Sequence, residues 1–159
     1  MAYTRWAVNE VRAGAAEAGR DPSAVEIVAM IATRVTDDSA AAIDELKPWL
    51  GLAYGMTGRG ELLLRDSGTD LQVLEPIRSV LRIDEIVAEG LEPYLHAYKR
   101  VSPEEVAAVV PAAIVDQAAI VGDAARCKAR LAEYVGAGVN HVILDSPQPA
   151  HELIAALRS

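Results

Sequence analysis

His141, Asp145 and Ser146 are the residue types of a nucleophilic triad, and they fall within six positions of one another. A triad needs side chains that converge from different parts of the fold. These three lie along one short apolar stretch and the turn after it, so they cannot easily converge. His151-Glu152 is a single histidine followed by an acid, without the second histidine that a zinc-binding helix places one turn on, and His96 is remote in sequence. No metal site is expected. Cys127 falls on the apolar stripe of a helix, where a thiol is buried and inert rather than nucleophilic. Gly58-Arg59-Gly60 lacks the Lys-Ser or Lys-Thr of a phosphate loop and follows no clear strand. Asp37-Asp38 and Glu104-Glu105 stand at helix starts, where they compensate the helix dipole without doing chemistry. Arg34 is a different case, because a guanidinium at the end of an apolar run can bind a phosphate or carboxylate. The amides opening the helix after Asp123 could receive an anion too, although the Asp123 carboxylate opposes it. As plain structure, Arg34 is a surface charge and Asp123 a cap.

The elements that carry these residues are readable from the apolar pattern. Tyr3 to Ala18 sets Ala7, Val11, Gly14, Ala15 and Ala18 on one side of a helix, and Gly19 stands at a left-handed C-cap. After the turn Arg20-Asp21-Pro22, residues 25–35 are almost continuously apolar, the pattern of a parallel strand covered on both faces. Thr36-Asp37-Asp38 predicts a cap and first turn for a second helix carrying Ile43, Leu46 and Leu50, which Pro48 should kink or break. A loop is expected over residues 55–60. Residues 61–101 read as short helices interrupted by Pro76, Gly90 and Pro93, and Ser102-Pro103-Glu104-Glu105 is a capping-box start. Pro111 should end that helix and begin another. Gly122-Asp123 opens a helix that closes at Ala137-Gly138, residues 139–144 form a second buried strand, and residues 151–158 a last helix.

Helices before, between and after two strands imply parallel pairing, so the expectation is one unit with helix-strand-helix at 1–55, a helical excursion at 56–121, and helix-strand-helix at 122–159. Two buried parallel strands leave both edges unpaired around a thin core. More strands are therefore needed than the sequence is expected to hold.

Composition narrows the partners. With 23 acidic residues against 15 Lys and Arg, the net charge of -8 repels phosphate backbones and anionic lipid, which excludes nucleic acid as an expected partner. The longest apolar run, near residues 107–115, is too short for a bilayer and contains Pro111, so no membrane association is expected. One cysteine and the absence of a signal-peptide core make a cytoplasmic location the default.

Two stretches carry a resemblance. The helix leading into Ala18-Gly19-Arg20-Asp21-Pro22 and the strand after it, and the run from Gly122-Asp123 through Leu131 to Ala137-Gly138-Val139 and Leu144, resemble the luciferase-like monooxygenase family. Asp123-Ala124-Ala125 stands where Thr-Pro-Glu is usual, and Gly136 replaces a larger residue. The resemblance implies the C-terminal part of a parallel (β/α)8 TIM barrel in an oxidoreductase that uses flavin mononucleotide or the deazaflavin coenzyme F420 on a small-molecule substrate. Only what look like the last two barrel strands are present, so no catalytic or cofactor-binding residue carries over and the chain is expected to be inactive alone. It would complete its sheet as a homo-oligomer or with a complementing chain; a non-catalytic α/β module that does the same is the alternative. In such a barrel the ends of the two strands and the start of the Asp123 helix lie on the functional end. Thr33, Arg34, Gly122, Asp123, Asp145 and Ser146 are therefore the expected rim of a substrate or anion site.

Overall fold

The computed structural model describes residues 1–158. In chain order it comprises α1 (Ala2–Glu17), β1 (Val28–Val35), α2 (Ser39–Gly55), α3 (Arg59–Leu63), α4 (Leu74–Leu81), α5 (Ile83–Ala88) and α6 (Pro93–His96). There follow α7 (Pro103–Val109), α8 (Ala112–Ala118), β2 (Ile120–Gly122), α9 (Ala124–Gly136), β3 (His141–Asp145) and α10 (Ala150–Arg158). The chain forms two compact units, one built from residues up to Ala42 and from Asp116 onward, the other from Ile43–Val115.

The first unit is a parallel sheet in the order β2-β1-β3. β1 pairs with β3 over five positions, Val28 with His141 through Ala32 with Asp145, and with β2 over three, Thr33 with Ile120 through Val35 with Gly122. β2 corrects the expectation that the sequence holds no further strand. It is only three residues long and starts one residue, Ala119, after the end of α8, so periodicity cannot separate it from the helix.

Side chains paired side by side in a parallel sheet share a face, and alternate residues point opposite ways. Ile31 and Ile120 therefore point to one face, where they form a core with Val8 of α1, Cys127 and Tyr134 of α9, and Val139. The other face carries Val28, Met30 and Ile143, which are 52%, 66% and 52% exposed. Expected coverage on both faces thus holds only at Ile31, Ala32 and Thr33, all buried. Everything N-terminal to them in β1 is covered by helices on one side alone.

Local signals act as expected at most helix ends. Gly19 adopts a positive φ of 69° behind α1, and the Ser102–Glu105 capping box opens α7. Asp123 caps α9 by accepting from the Arg126 N–H at 2.8 Å. Two expectations are corrected. Asp38, not Thr36, caps α2, accepting from the Ala41 N–H at 3.0 Å while Thr36 Oγ1 accepts from the Asp38 N–H. Pro48 does not break α2, which continues through Gly55. The proline removes one helical hydrogen bond, but Leu46, Leu50, Leu52 and Tyr54 on either side of it are buried, and that burial holds the helix together.

In the second unit, Leu74, Ile77 and Leu81 of α4 pack in a core with Ile83, Ile86 and Val106, all essentially inaccessible. The expected loop over residues 55–60 shrinks to Met56–Gly58, because α3 already begins at Arg59. Arg78 of α4 donates to Glu61 at 2.6 Å and to the Gly55 carbonyl at 3.2 Å. That hydrogen bond holds the Glu61 carboxyl below its ordinary range. A depressed carboxylate stabilises above its unfolded-state value and loses that contribution as pH falls through its folded value. Arg78→Ala should accordingly flatten the acid limb of the unit's stability profile, measured as the urea midpoint between pH 7 and pH 3.

Candidate functional site

The C-terminal ends of the three strands lie together. The Thr36 N–H donates to the Gly122 carbonyl at 2.8 Å, which joins the ends of β1 and β2. Arg34 Nη1 donates to the Thr33 carbonyl at 2.9 Å and to the Asp145 carbonyl at 3.3 Å, which joins β1 to β3. Five of the six expected rim residues meet there in two groups, Arg34 with Asp145 and Ser146, and Gly122 with Asp123.

Thr33 is placed differently. It is two residues beyond Ile31 and therefore on the helix-packed face, fully buried, with its hydroxyl donating to the Ile31 carbonyl at 2.9 Å. Its side chain is core, not rim. Gly122 has a φ of 142°, and a Cβ there would come within 2.6 Å of Arg126 Cδ, so both the backbone and the Arg126 side chain leave room for glycine alone. The Asp123 carboxylate is engaged in its cap. Arg34 is half-buried and permanently charged, and its guanidinium is engaged by the Thr33 and Asp145 carbonyls.

The triad is ruled out by position. His141 starts β3 and lies beside Glu26 at 3.5 Å, whereas Ser146 follows the end of the same strand. Five residues of strand separate them by roughly 16 Å. Among the described residues no group of three His, Cys, Asp or Glu side chains could hold a metal ion.

Cys127 lies beneath the rim, fully buried, its thiol directed at the Gly122 carbonyl at 3.3 Å. Burial pushes the thiol pKa up, and the neighbouring Asp123 carboxylate adds to the effect. A raised acid is neutral where it sits, so it costs nothing below the ordinary thiol range; stability falls as pH rises from roughly 8.5, where the unfolded thiol ionises first. The expected result is slow native reaction with a disulfide reagent, full reaction in urea, and a steeper alkaline loss of stability than in Cys127→Ala.

A family model described as luciferase-like monooxygenase matches residues 1–141. The chain belongs to the luciferase-like monooxygenase family. Its fold is similar to the coenzyme F420 dependent tetrahydromethanopterin reductase from Methanopyrus kandleri, with a TM-score of 0.60 and 22% sequence identity. The alignment covers 91% of this chain and 37% of that one, so the chain spans little more than a third of the reductase it matches. At this identity the likeness is one of fold.

In a TIM barrel the helices pack on the outer face of the strands, the inner face is filled by layers of bulky side chains, and chemistry sits at the strand C-termini. For this luciferase-like chain the helix-covered face corresponds to the outside of the barrel. The bare face with Val28, Met30 and Ile143 corresponds to its interior, and the Arg34–Asp145 rim to the C-terminal ends of its strands.

The groove found among α1, α8 and α9 does not fit a flavin ring. A flavin ring needs an apolar slot with a few placed polar groups. The groove, of about 410 Å³, is lined instead by Arg5, Asp116, Arg126, Arg130 and Glu133, with Arg126 paired to Asp116 and Arg130 to Glu133. At the rim, the space a Cβ of Gly122 would enter is already filled by Arg126.

Two residues that sequence reasoning missed complete the geometry. The Asn140 carboxamide accepts from the Ile27 N–H at 2.9 Å at the start of the β1–β3 ladder. At the other end, Gln148 binds both backbone groups of Val35. Neither has a local signature, because each partner is 113 residues away.

Proposed function

We propose that this chain is the C-terminal segment of a luciferase-like flavin- or deazaflavin-dependent oxidoreductase and has no turnover of its own. The observation that carries the reading is the one-sided sheet. In a chain matching 37% of a barrel enzyme, helices cover one face of the strands, and Met30, Val28 and Ile143 stand bare on the other. Apolar side chains in that position are what a barrel interior buries. The contribution of this segment is then structural and electrostatic: three parallel strands, and Arg34 at their ends as a cation for the phosphate or carboxylate of a coenzyme or substrate. The reductase named above depends on coenzyme F420, which supports the deazaflavin arm of the reading. Such coenzymes carry hydride when bound; none of the residues described here is assigned a step in that transfer.

Titration of the purified chain with flavin mononucleotide and with F420, monitored by coenzyme fluorescence, together with an assay for oxidation of the reduced coenzymes, tests the proposal. The expected result is no turnover with either. Sustained turnover by a monomer would sink it.

A second reading is a non-catalytic α/β module that completes its sheet with another copy or another chain. The free strand edges favour it, since among the described residues β3 is paired on one side only. Light scattering on the chain separated by size discriminates. Stable, well-defined oligomers without coenzyme binding support the module, and a clean monomer in dilute buffer counts against it.

A further inference from the structure

Gln148 sits between Pro147 and Pro149 in the connection from β3 to α10. Its Oε1 accepts from the Val35 N–H at 2.8 Å, and its Nε2 donates to the Val35 carbonyl at 2.9 Å. The β1–β3 ladder stops at Ala32 and Asp145, so the side-chain amide takes the place of a further β3 peptide unit beside Val35. Ser146 completes the arrangement. Its hydroxyl accepts from the Gln148 N–H at 3.2 Å and donates to Oε1 at 3.4 Å, so the carboxamide is itself oriented. The flanking prolines fix φ on both sides and leave the segment few alternative conformations. One residue before this latch on β1 is Arg34, whose guanidinium donates to the Asp145 carbonyl, and one residue before Ser146 on β3 is Asp145 itself. The latch and the Arg34–Asp145 contact therefore tie together the same two chain segments.

We propose that Gln148 is the positioning residue of the strand-end rim: its carboxamide latches the connection after β3 to Val35 and thereby holds the Arg34 guanidinium against the Asp145 main-chain carbonyl, in register to meet an anionic ligand. The ligand part rests on the reading of Arg34 as the rim's anion-directed group. An alanine has neither donor nor acceptor. A glutamate has the shape of glutamine, yet as a carboxylate it has no proton to give and sets an oxygen against the Val35 carbonyl. Protonated, it again offers one O–H and one C=O and can remake both bonds.

The test is nuclear magnetic resonance of the full chain as wild type, Q148A and Q148E, with inorganic phosphate as the anionic probe. Loss of two hydrogen bonds predicts exchange of the Val35 amide faster by on the order of tenfold in Q148A. In Q148E at pH 7 the carboxylate can still accept from the Val35 N–H but cannot donate to the Val35 carbonyl, so the Val35 carbonyl-carbon resonance should lie near that of Q148A and return toward the wild-type position as pH falls to 4. Charged groups nearby in both chains are Arg34, Asp37 and Asp38 after β1, Asp123 and Arg126 at the start of α9, Asp145 on β3, and His151 and Glu152 on α10. Wild type carries all of them, so its titration gives the baseline to subtract. Because the pH return is read within one folded variant, it decides the matter even where Q148A fails to fold. Identical Val35 exchange and shift in wild type and Q148A, or a Q148E chain with no pH return, overturns the latch. With the latch intact, phosphate should move the Arg34 Nε–H resonance in wild type and need a several-fold higher concentration in Q148A. Equal phosphate response in both chains overturns the positioning role. No response in either overturns the reading of Arg34 as an anion-directed group and leaves the latch standing.

Discussion

Gly60→Ala should destabilise the helical unit by about 3 kcal/mol, seen as a lower urea midpoint, because a Cβ at this position has nowhere to go. It would lie 2.0 Å from the Tyr54 carbonyl oxygen of α2 and 3.0–3.1 Å from the two Leu74 methyls of α4. The first of these is backbone, and moving it means moving the end of α2. Gly60 is therefore required by close approach, and not by backbone conformation. Gly136→Ala is the opposite case. That residue is helical within α9, and a Cβ there meets nothing within 4 Å, so the substitution should stabilise by up to about 1 kcal/mol through helix propensity. If both substitutions shift the midpoint alike, crowding around Gly60 is not what its size serves.

Ile120→Ala should cost the sheet unit about 3 kcal/mol, within the range for truncating a fully buried isoleucine. Ile120 is inaccessible and shares the single helix-covered core with Ile31, Val8 and Cys127. β2 is buried along its whole length, so the close-packed surroundings cannot easily collapse into the cavity. Ile143, on the bare face and half exposed, supplies the comparison. Ile143→Ala should shift the midpoint by less than about 0.5 kcal/mol in the isolated chain. Similar losses for the two would mean that Ile143 is buried in solution, which would contradict the one-sided sheet on which the functional reading stands.

Ile120 also marks where the sequence stops being legible. Ala119 to Gly122 follows the apolar residues of α8, and three residues of strand contain too little pattern to be told from a helix end. The longer strands, the α9 cap at Asp123 and the capping box at Ser102 were legible because each is set by neighbours in the chain. Pro48 misleads for the opposite reason. Its local penalty is real, and the burial of Leu46, Leu50 and Leu52 outweighs it, which no window around residue 48 contains.

The candidate site divides in the same way. Placing Arg34, Gly122, Asp123, Asp145 and Ser146 at one end of the sheet follows from strand direction alone. Turning Thr33 into the core follows from the phase of the pleat, which depends on the face the helices choose. Gln148 required the fold outright, since a carboxamide shows its partners only when a backbone 113 residues away is brought beside it.

By itself, then, the sequence determines the acidic, helix-rich βα character of this protein, most of its helix ends, the direction of its strands and its family resemblance, because those depend on spacing and composition within a turn or two. Only the tertiary structure decides that β2 exists, that one face of the sheet is packed and the other bare, and which polar side chains hold the strand ends together. Those depend on contacts between segments far apart in the chain, for which a chain of amino acids carries no local mark.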